Sequence, residues 1–358
     1  MTAGGADGDR ARARDLGLAP GTLPPGPLNA ITDVPGIRVG HATLVEGDTI
    51  RTGVTGISHD ALVRADRAGR STLPAGLAVY NGFGKMVGST QVTELGVVET
   101  PVLLTGTLSV FRVADALLSY LHGLPGFAGE GTLNPVVAET NDGYLSDIWA
   151  RPISAAHVRA ALDAAANGPV AEGCVGAGTG TRALGYKAGI GTSSRLLELS
   201  AGNGPAVLGT LVQANFGGVL TIGGVPIPRP ADWAAEAGPA GGSCVIVLAT
   251  DVPLGSRELS RVARRAFAGL ARTGSDFSGR SGDYALAIST ATRRDAEWAA
   301  GPVPPKDLDV IFIAAIEATE EAILNSVLTA VTTTGYRGHV SRAVPLEHVR
   351  ALLGNGFM

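Results

Sequence analysis

The chain has 358 residues, which is enough for one large domain or two medium domains with a substantial buried core. It carries 28 basic and 32 acidic residues, a net charge of −4, and contains no basic stripe interleaved with aromatic residues. This pattern argues against a nucleic-acid partner, and the 51 glycines indicate many tight turns around a core of small aliphatic side chains.

The two cysteines, Cys174 and Cys244, are far apart and form no C-x-x-C pair. They indicate neither a disulfide framework nor a thiolate metal site. The chain also lacks an H-E-x-x-H motif, so the sequence predicts no metal and no cofactor. No apolar run has the length of a membrane span and none follows the charged N-terminus, so we expect a soluble, cytoplasmic protein that does not bind membranes.

Residues 1–27 are rich in Gly, Ala, Pro and Arg and predict a flexible N-terminal arm, followed by a single domain over 28–358. Segment 29–41 predicts a strand, a Pro-Gly turn and a second strand. Further short apolar runs between Gly and Pro predict the strands of a sheet. They lie at 77–80, 81–84, 102–105, 135–138, 207–215, 245–248 and 285–289.

Apolar residues at helical spacing predict the helices that cover this sheet. In one of them, 308–333, the residues expected to face the core are Ile313, Ile316, Ile323, Leu324 and Val327. No repeat and no break in composition divides the chain, so one layered domain is predicted. The predicted helices are 110–121, 155–166, 257–272, 308–333 and 346–353.

Two features suggest other sites but favour structural interpretations. The glycine-rich segment 176–181 has Thr181 where a dinucleotide fingerprint needs its third glycine, and no Gly-Lys-Ser/Thr follows, so a turn is predicted. His41 at a predicted strand end is interpreted as structural, with catalysis as the less favoured alternative.

Ser243 stands between Gly241-Gly242 and the strand-forming run 245–248, after a linker marked by Pro226, Pro228 and Pro230. Taken alone, this pattern favours an ordinary loop that enters a core strand. A serine after a strained glycine can also attack the preceding carbonyl, and cleavage would give a nucleophile with its own α-amine as base. Cys244 has no cationic neighbour in the sequence to form a thiolate, so Ser243 is the preferred nucleophile.

Ordered motifs along the chain strengthen this second interpretation. Through them the sequence resembles the self-processing aminopeptidases, the family of the L-aminopeptidase D-Ala-esterase/amidase and the β-peptidyl aminopeptidases. The similarity runs from about Arg10 to the C-terminus. Its motifs are Arg-Ala-Arg-Asp-Leu-Gly at 12–17, Asn-Ala-Ile-Thr-Asp-Val at 29–34, Glu-Thr-Asn-Asp-Gly-Tyr-Leu-Ser-Asp at 139–147, Gly-Ile-Gly-Thr-Ser-Ser-Arg at 189–195, Gln-Ala-Asn-Phe-Gly at 213–217, Gly-Ser at 242–243 with its strand, and Arg-Ser-Gly-Asp at 280–283.

The resemblance implies an α+β fold, a four-layer αββα sandwich of two packed sheets flanked by helices. It implies cleavage between Gly242 and Ser243 into chains 1–242 and 243–358 that stay together, and assembly into a homo-oligomer, usually a tetramer. The implied reaction releases the N-terminal residue from a small peptide, amide or ester with a free amino group, through an acyl-enzyme.

The resemblance also assigns the catalytic residues. Ser243 is the nucleophile, Asn215 and Tyr144 stabilise the oxyanion or orient the acyl group, and Ser281 and Asp283 form hydrogen bonds around the nucleophile. Some relatives have glutamate at the position of Asp283, and the shorter side chain argues for a hydrogen-bonding role over direct proton relay. Without the resemblance, Asn215 would be interpreted as a strand-end cap and Tyr144 as a core aromatic.

The ammonium of such a substrate requires a carboxylate partner in a partly buried pocket. Glu139 and Asp142 are predicted to provide it, with an acidic surface turn as the alternative for both. Two further functions stay open: an acyltransferase of the same architecture and a non-catalytic oligomeric binding protein. The preference among D-, L- and β-amino acids depends on pocket shape and is not predicted.

Overall fold

The structure, a computed structural model, describes residues 10–63, 65–66, 69–125, 127, 131–200, 205–231, 233, 242–291 and 303–354. The strands are β1 (Ile37–Glu46), β2 (Ile50–His59), β3 (Ala65–Asp66), β4 (Gly69–Arg70), β5 (Leu73–Gly82), β6 (Met86–Val87), β7 (Val97–Val98), β8 (Val102–Gly106), β9 (Val136–Thr140), β10 (Arg182–Ala183), β11 (Tyr186–Lys187), β12 (Ile190–Leu197), β13 (Ala206–Asn215), β14 (Thr221–Ile222), β15 (Val225–Pro226), β16 (Ser243–Thr250), β17 (Gly282–Ser289), β18 (Thr333–Thr334) and β19 (Val340–Ser341). The helices are α1 (Asp60–Val63), α2 (Ser89–Leu95), α3 (Val110–His122), α4 (Ala155–Asp163), α5 (Ser256–Arg272), α6 (Pro305–Leu328) and α7 (Leu346–Gly354).

Two mixed sheets form the centre of the molecule. One has the strand order β1-β2-β8-β9-β6 and the other β12-β13-β16-β17-β5-β7. The continuous apolar run of β16 indicates that both faces of the second sheet are buried, because alternate side chains of a strand point to opposite faces. Val245 and Val247 belong to the cluster between the sheets, whereas Ile246 and Leu248 belong to the cluster under α5 and α6.

Helices cover the outer face of each sheet. Leu259 of α5 and Ile311 of α6 share a buried cluster with β16, on the outer side of the six-stranded sheet. Leu117 of α3 shares another with Leu103 of β8, on the outer side of the five-stranded sheet. The predicted four-layer αββα sandwich is therefore confirmed.

The N-terminal segment differs from its prediction as a flexible arm. Over residues 10–27 it is bound to the sandwich: Arg14 Nε lies 2.8 Å from Glu321 Oε1, and Thr22 N–H donates to Glu317 Oε1 at 2.8 Å. Leu196 N–H donates to the carbonyl of Pro24. The composition is typical of an arm, but Arg14 pairs with the buried Glu321 of α6 and Arg12 pairs with Glu172, pairings that no local pattern shows. Residues 1–9 lie outside the described residues.

Helix α6 is buried on nearly all sides in its second half, because the N-terminal segment covers the face that α5 and the sheet leave open. Ile323, Leu324 and Val327 are buried as predicted, and Ile316 is partly buried. The prediction for Ile313 is wrong, since its side chain is 46% exposed near the start of the helix. The helix also ends at Leu328, ahead of the predicted end at Thr333.

Other boundaries shift by a few residues. The predicted first strand of segment 29–41 is instead a 3-10 turn at Ile31–Asp33, followed by a Pro-Gly turn in which Gly36 has φ of 81°. Helix α4 ends at Asp163, and β17 begins at Gly282 instead of 285. The glycine-rich segment forms a 3-10 turn at Gly176–Gly178. No helix in the described part of the chain combines the length and apolarity of a membrane span.

Candidate active site

Three adjacent strands bring the Gly-Ser step and its neighbours together at one edge of the six-stranded sheet. Ser243 is the first residue of β16 and lies opposite Asn215, the last residue of the antiparallel strand β13. On its other side it lies opposite Gly282, the first residue of the parallel strand β17. Residues separated by 28 and 39 positions in the sequence (243 − 215 and 282 − 243) thus become neighbours.

The Ser243 hydroxyl lies directly against the peptide group that precedes it. Its Oγ donates to the carbonyl oxygen of Gly242 at 2.7 Å and accepts the N–H of Gly282 at 3.2 Å. The same N–H also lies 3.2 Å from the Gly242 oxygen. This arrangement places a nucleophile beside a carbonyl group, with a backbone donor next to the oxygen where negative charge would develop. Gly241 and residues 234–240 of the linker lie outside the described residues.

Ser281 and Asp283 flank Gly282 and hydrogen-bond to each other. Ser281 Oγ donates to Asp283 Oδ1 at 2.6 Å, while Asn81 Nδ2 donates to Oδ2 at 2.8 Å. Burial raises the pKa of Asp283, and these hydrogen bonds oppose part of the increase because they stabilise the carboxylate. Asp283 is therefore placed to hold Ser281 and the start of β17.

Asn215 and Tyr144 line the same cavity as Ser243. The Asn215 carboxamide oxygen accepts the backbone N–H of Arg182 at 3.2 Å, which orients the amide so that its NH₂ group is the part able to donate into the cavity. The Tyr144 ring lies between two cavity-lining side chains. His339 stacks on it with centroids 4.5 Å apart, and the Arg182 guanidinium carbon lies 4.2 Å from its centroid.

The cavity has a volume of about 460 Å³, within the roughly 300–1,000 Å³ range of small-ligand pockets. A larger groove of about 810 Å³ beside residues 16–21 and α7 shares none of its lining residues. The lining of the smaller cavity is formed by Phe83, Lys85, Thr107, Glu139, Asn141, Gly143, Tyr144, Ile148, Arg182, Asn215, Gly242, Ser243, Arg280 and His339.

Glu139 presents a carboxylate to this cavity from the other sheet. It lies in β9, and Oε1 accepts hydrogen bonds from Lys85 N at 3.0 Å and from Lys85 Nζ at 3.3 Å. Its second oxygen is buried and has no hydrogen-bond partner among the described residues. An ammonium group would satisfy that oxygen.

Asp142 does not line the cavity, although it is only three residues beyond Glu139. It follows the end of β9, and its carboxylate packs against the backbone of Gly106, where an added Cβ would lie 2.6 Å from Oδ2. Complete burial raises its pKa to about 7, with a hydrogen bond from Thr52 acting in the opposite direction. The structure therefore separates the two predicted ammonium partners and leaves Glu139 at the cavity.

Cys244 and His41, for which the sequence did not favour a catalytic role, both have structural explanations. Cys244 points away from Ser243 into the core beneath α5 and α6, because successive side chains alternate along β16, and burial raises the pKa of its thiol. His41 lies outside the cavity lining, with Nδ1 2.9 Å from Thr55 Oγ1, and burial lowers its pKa to about 4.

Several site residues were not predicted from the sequence. Asn81, Lys85, Arg182 and His339 lie far from Ser243 in the chain and belong to none of the motifs above. The Gly282 N–H lies inside the Arg-Ser-Gly-Asp motif, but its role depends on strand register. A backbone donor leaves no signal in side-chain chemistry, so only the pairing of β16 with β17 reveals it.

Comparison with known proteins identifies the family of this chain. The profile of peptidase family S58 matches residues 29–341. The chain is 37% identical to the β-peptidyl aminopeptidase BapA of Sphingosinicella microcystinivorans, over 99% of this chain and 94% of that protein. It is 39% identical to the β-peptidyl aminopeptidase BapA of Sphingosinicella xenopeptidilytica, over 96% of this chain and 90% of that protein.

A solved structure shows the same fold. The L-aminopeptidase D-Ala-esterase/amidase of Ochrobactrum anthropi, a serine aminopeptidase with a variant of the N-terminal-nucleophile (Ntn) hydrolase fold, superposes with a TM-score of 0.85 at 36% identity. The match covers 96% of this chain and 98% of that chain. This chain therefore belongs to peptidase family S58 and is a hydrolase of the aminopeptidase type.

Proposed function

We propose that the chain cleaves its own Gly242–Ser243 bond and then uses the new N-terminal Ser243 to release N-terminal residues from small peptides, amides or esters. The observation that carries this proposal is the contact of Ser243 Oγ with the Gly242 carbonyl oxygen at 2.7 Å, with the Gly282 N–H beside both atoms. Peptide, amide and ester substrates follow the names of the relatives.

Self-cleavage begins with attack of Ser243 Oγ on the carbonyl carbon of Gly242. The C–O bond forms, the hydroxyl proton leaves, and the developing oxyanion accepts a hydrogen bond from the Gly282 N–H. When the C–N bond breaks, the proton passes to the leaving nitrogen, so that the acyl group has moved from nitrogen to oxygen. Water then hydrolyses the ester, leaving a carboxylate on Gly242 and an amine on Ser243.

The freed amine supplies the base for turnover. An α-amino group has an unperturbed pKa of roughly 7.7–8.0, so a useful fraction is neutral near pH 7 and can take the proton of its own hydroxyl. Ser243 Oγ attacks the substrate carbonyl, the amine or alcohol leaves with a proton, and water hydrolyses the acyl-enzyme. Asn215 and Tyr144 would donate to the oxyanion of both tetrahedral intermediates.

Glu139 is proposed as the partner of the substrate ammonium. The support is the buried oxygen Oε2 without a partner among the described residues, on the wall of the cavity that contains Ser243. Binding of the ammonium at this carboxylate would place the next carbonyl at Ser243. The enzyme would therefore act at the free N-terminus of its substrate.

We also propose that processed protomers assemble into a homo-oligomer, which the family resemblance implies. Two exposed aromatic side chains support it: Phe83, which lines the cavity, is 72% exposed, and Trp149 is 78% exposed. Light scattering of the processed protein measures the oligomeric state. The cytoplasmic location expected from the sequence stays a prediction.

Replacement of Ser243 by Ala tests the whole proposal. We expect the wild-type protein to give two chains of 242 and 116 residues (358 − 242) in denaturing electrophoresis with intact mass, and Ser243→Ala to give one inactive chain of 36.1 kDa. The variant lacks the attacking oxygen but keeps the backbone that forms β16. An uncut wild-type protein with full aminopeptidase activity would refute the mechanism.

A further inference from the structure

His339 contacts Tyr144 in two ways. Its Nδ1 lies 2.8 Å from the carbonyl oxygen of Tyr144, and its ring stacks on the Tyr144 ring with centroids 4.5 Å apart and an interplanar angle of 8°. A carbonyl oxygen only accepts hydrogen bonds, so Nδ1 carries the proton in this contact. One side chain therefore binds both the backbone and the ring of a residue that lines the cavity of Ser243.

Tyr144 requires such contacts because it lies in an irregular segment. It follows the end of β9, in a turn where the carbonyl of Asp142 accepts the N–H groups of Leu145 and Ser146. Neither a strand nor a helix includes Tyr144, so regular backbone pairing does not fix the direction of its ring. A donor to an oxyanion has to be held within about 0.5 Å, and loops give less precision than strands.

Backbone contacts fix the segment 335–339, which carries His339, against the segment of Tyr144. Tyr336 N–H donates to the carbonyl of Leu145 at 2.9 Å, and His339 N–H donates to the carbonyl of Tyr336 at 3.1 Å. Gly335 lies so close to Leu145 that an added Cβ would be 2.1 Å from the Leu145 carbonyl oxygen. Leu145 is fully buried, so the imidazole of His339 is presented to Tyr144 from a fixed base.

We propose that His339 is a positioning residue, which holds the hydroxyl group of Tyr144 where it donates to the oxyanion. After the proposed cleavage, Tyr144 belongs to chain 1–242 and His339 to chain 243–358, so the chain that carries Ser243 also fixes a donor of the other chain. This inference rests on the proposed aminopeptidase function and on the proposed role of Tyr144. His339 acts through Tyr144 and makes no contact of its own with the reacting atoms.

The kinetics of His339→Ala on the processed enzyme test this role. The substrates are Ala p-nitroanilide and β-Ala p-nitroanilide, and the release of 4-nitroaniline is followed by its absorbance. We expect kcat to fall about tenfold while KM changes less than about twofold, because a displaced donor weakens the transition state more than the bound substrate. His339→Phe keeps a stacked ring and His339→Asn keeps a donor near the position of Nδ1, so each should retain part of kcat.

A double-mutant cycle with Tyr144→Phe separates positioning from a general effect on the fold. Phenylalanine keeps the ring on which His339 stacks but lacks the hydroxyl group that is to be positioned. In the Tyr144→Phe background, His339→Ala should therefore lower kcat by less than about twofold, since the effects of coupled residues are not additive. The same tenfold loss in both backgrounds would overturn the inference, because His339 would then act independently of the Tyr144 hydroxyl.

His157→Ala is the matched control. His157 Nδ1 also forms a hydrogen bond with the backbone, accepting the N–H of Ser154 at 3.0 Å, but it lies on α4 and outside the cavity lining. Its kcat and KM should equal those of the wild type. If His339→Ala does not fold, the cycle with His339→Phe decides, because its smaller loss of kcat should also disappear in the Tyr144→Phe background.

The failure of this inference and the failure of the proposed function give different results. Unchanged kcat in His339→Ala would overturn the positioning role while the proposed function stands. A wild-type enzyme that cleaves neither p-nitroanilide nor any other amide or ester with a free amino group would instead refute the proposed function.

Discussion

At the scale of single residues, neighbours in the sequence have different roles because their side chains face different surroundings. Ser243 lines the cavity while Cys244 is buried in the core behind it. Glu139 lines the cavity while Asp142 is enclosed by backbone near Gly106. The type of residue defines the chemistry that is available, and the direction of the side chain decides whether the substrate meets it.

Removal of the Glu139 charge should weaken binding of substrates with a free amino group. In Glu139→Gln the side chain keeps an oxygen for Lys85 N–H but loses the attraction for an ammonium. We expect KM for such substrates to rise about tenfold or more, the effect of losing a charge-assisted contact in a partly buried pocket. Steady-state kinetics with a matched amino-blocked ester, whose KM should change little, measures the difference.

Asp142→Asn is the control for this variant, since Asp142 is also an acidic residue of the same motif but does not line the cavity. Its KM values should stay near those of the wild type. Equal increases of KM for free and blocked substrates in Glu139→Gln would remove the proposed ammonium role.

Asp283 is expected to set a second step on the acidic side of the pH profile, below the titration of the Ser243 α-amine. Its pKa is raised by burial, and the carboxylate form accepts the hydrogen bonds of Ser281 and Asn81. As pH falls through this raised pKa the carboxylate is protonated, so kcat should fall at a higher pH than for an ordinary aspartate. Asp283→Asn should lower kcat by about 10²-fold and abolish this step, while the limb set by the α-amine stays.

A loss of folding stability should not explain the lower kcat of Asp283→Asn. A carboxyl group with a higher pKa in the folded than in the unfolded state binds more protons when folded, so it lowers stability as pH rises between the two values. The neutral amide removes this destabilising charge. A pH profile of Asp283→Asn identical in shape to the wild type would contradict the assignment.

At the scale of secondary structure, the site is formed by strand ends. Ser243 and Gly282 begin parallel strands and Asn215 ends an antiparallel one, so three chain segments supply the proposed nucleophile and its proposed donors at one edge. A hydrogen bond shows that this edge lies close to the other sheet: Gln213 Nε2 donates to the carbonyl of Thr105 on β8 at 3.1 Å. Glu139 lies beside Thr105 in the parallel pairing of β8 and β9.

A side chain at Gly242 should disturb this edge and slow self-cleavage. A Cβ there would lie 2.2 Å from the carbonyl oxygen of Asn215 and 2.5 Å from Phe216 Cα, both backbone atoms that cannot rotate away. We expect Gly242→Ala to process at least about tenfold more slowly, because displacement of the reacting atoms by an ångström is costly. Electrophoresis of samples taken during expression and incubation gives the rate.

Gly168→Ala is the matched control, since a Cβ at Gly168 meets no atom within 4 Å. Its processing rate should equal that of the wild type. Once Gly242→Ala has been cut, residue 242 is a chain end, so turnover by the processed enzyme should be affected less than processing. Equal processing rates for the two variants would show that the close approach is unimportant.

At the scale of the whole molecule, a buried ionic cluster joins the N-terminal segment to α6. Arg195 is fully buried and contacts Glu321 Oε2 at 2.8 Å and Glu317 Oε2 at 3.3 Å, and Arg14 contacts Glu321 from the N-terminal side. Removal of one partner from a buried pair leaves an uncompensated charge in the core. The cluster is therefore a strong constraint on how the two segments pack.

Replacement of Glu321 by Ala should be strongly destabilising. We expect the free energy of unfolding to fall by about 3–5 kcal/mol, because Arg195 would stay buried without its closest carboxylate. Urea denaturation of the uncut Ser243→Ala protein measures it without the complication of two chains. Asp60→Ala, which breaks the exposed pair with Arg38, should cost only about 0–1 kcal/mol. Similar losses in both variants would contradict the importance of burial.

Much of the fold follows from local pattern. The helices α3, α5 and α7 and the strands β8, β9, β13 and β16 lie where hydrophobic periodicity predicts them, because burial of one face selects the period. The predicted runs 77–80 and 81–84 instead fall in or next to one longer strand, β5, which ends at Gly82. The prediction of a flexible arm was wrong for residues 10–27, and the prediction of a first strand in segment 29–41 was also wrong. Both segments derive their structure from distant partners, such as Glu321 for Arg14, and a local pattern does not contain that information.

By itself, the sequence determined the family and the layered fold, and it supplied the short set of residues proposed for catalysis, Ser243 among them. Only the tertiary structure decided which of them meet. Register places the Gly282 N–H beside the Gly242 carbonyl, and the end of β9 separates Glu139 from Asp142. The physical reason is that motifs specify residue types, whereas distances between them arise from hydrogen-bonded strand pairing among segments far apart in the chain.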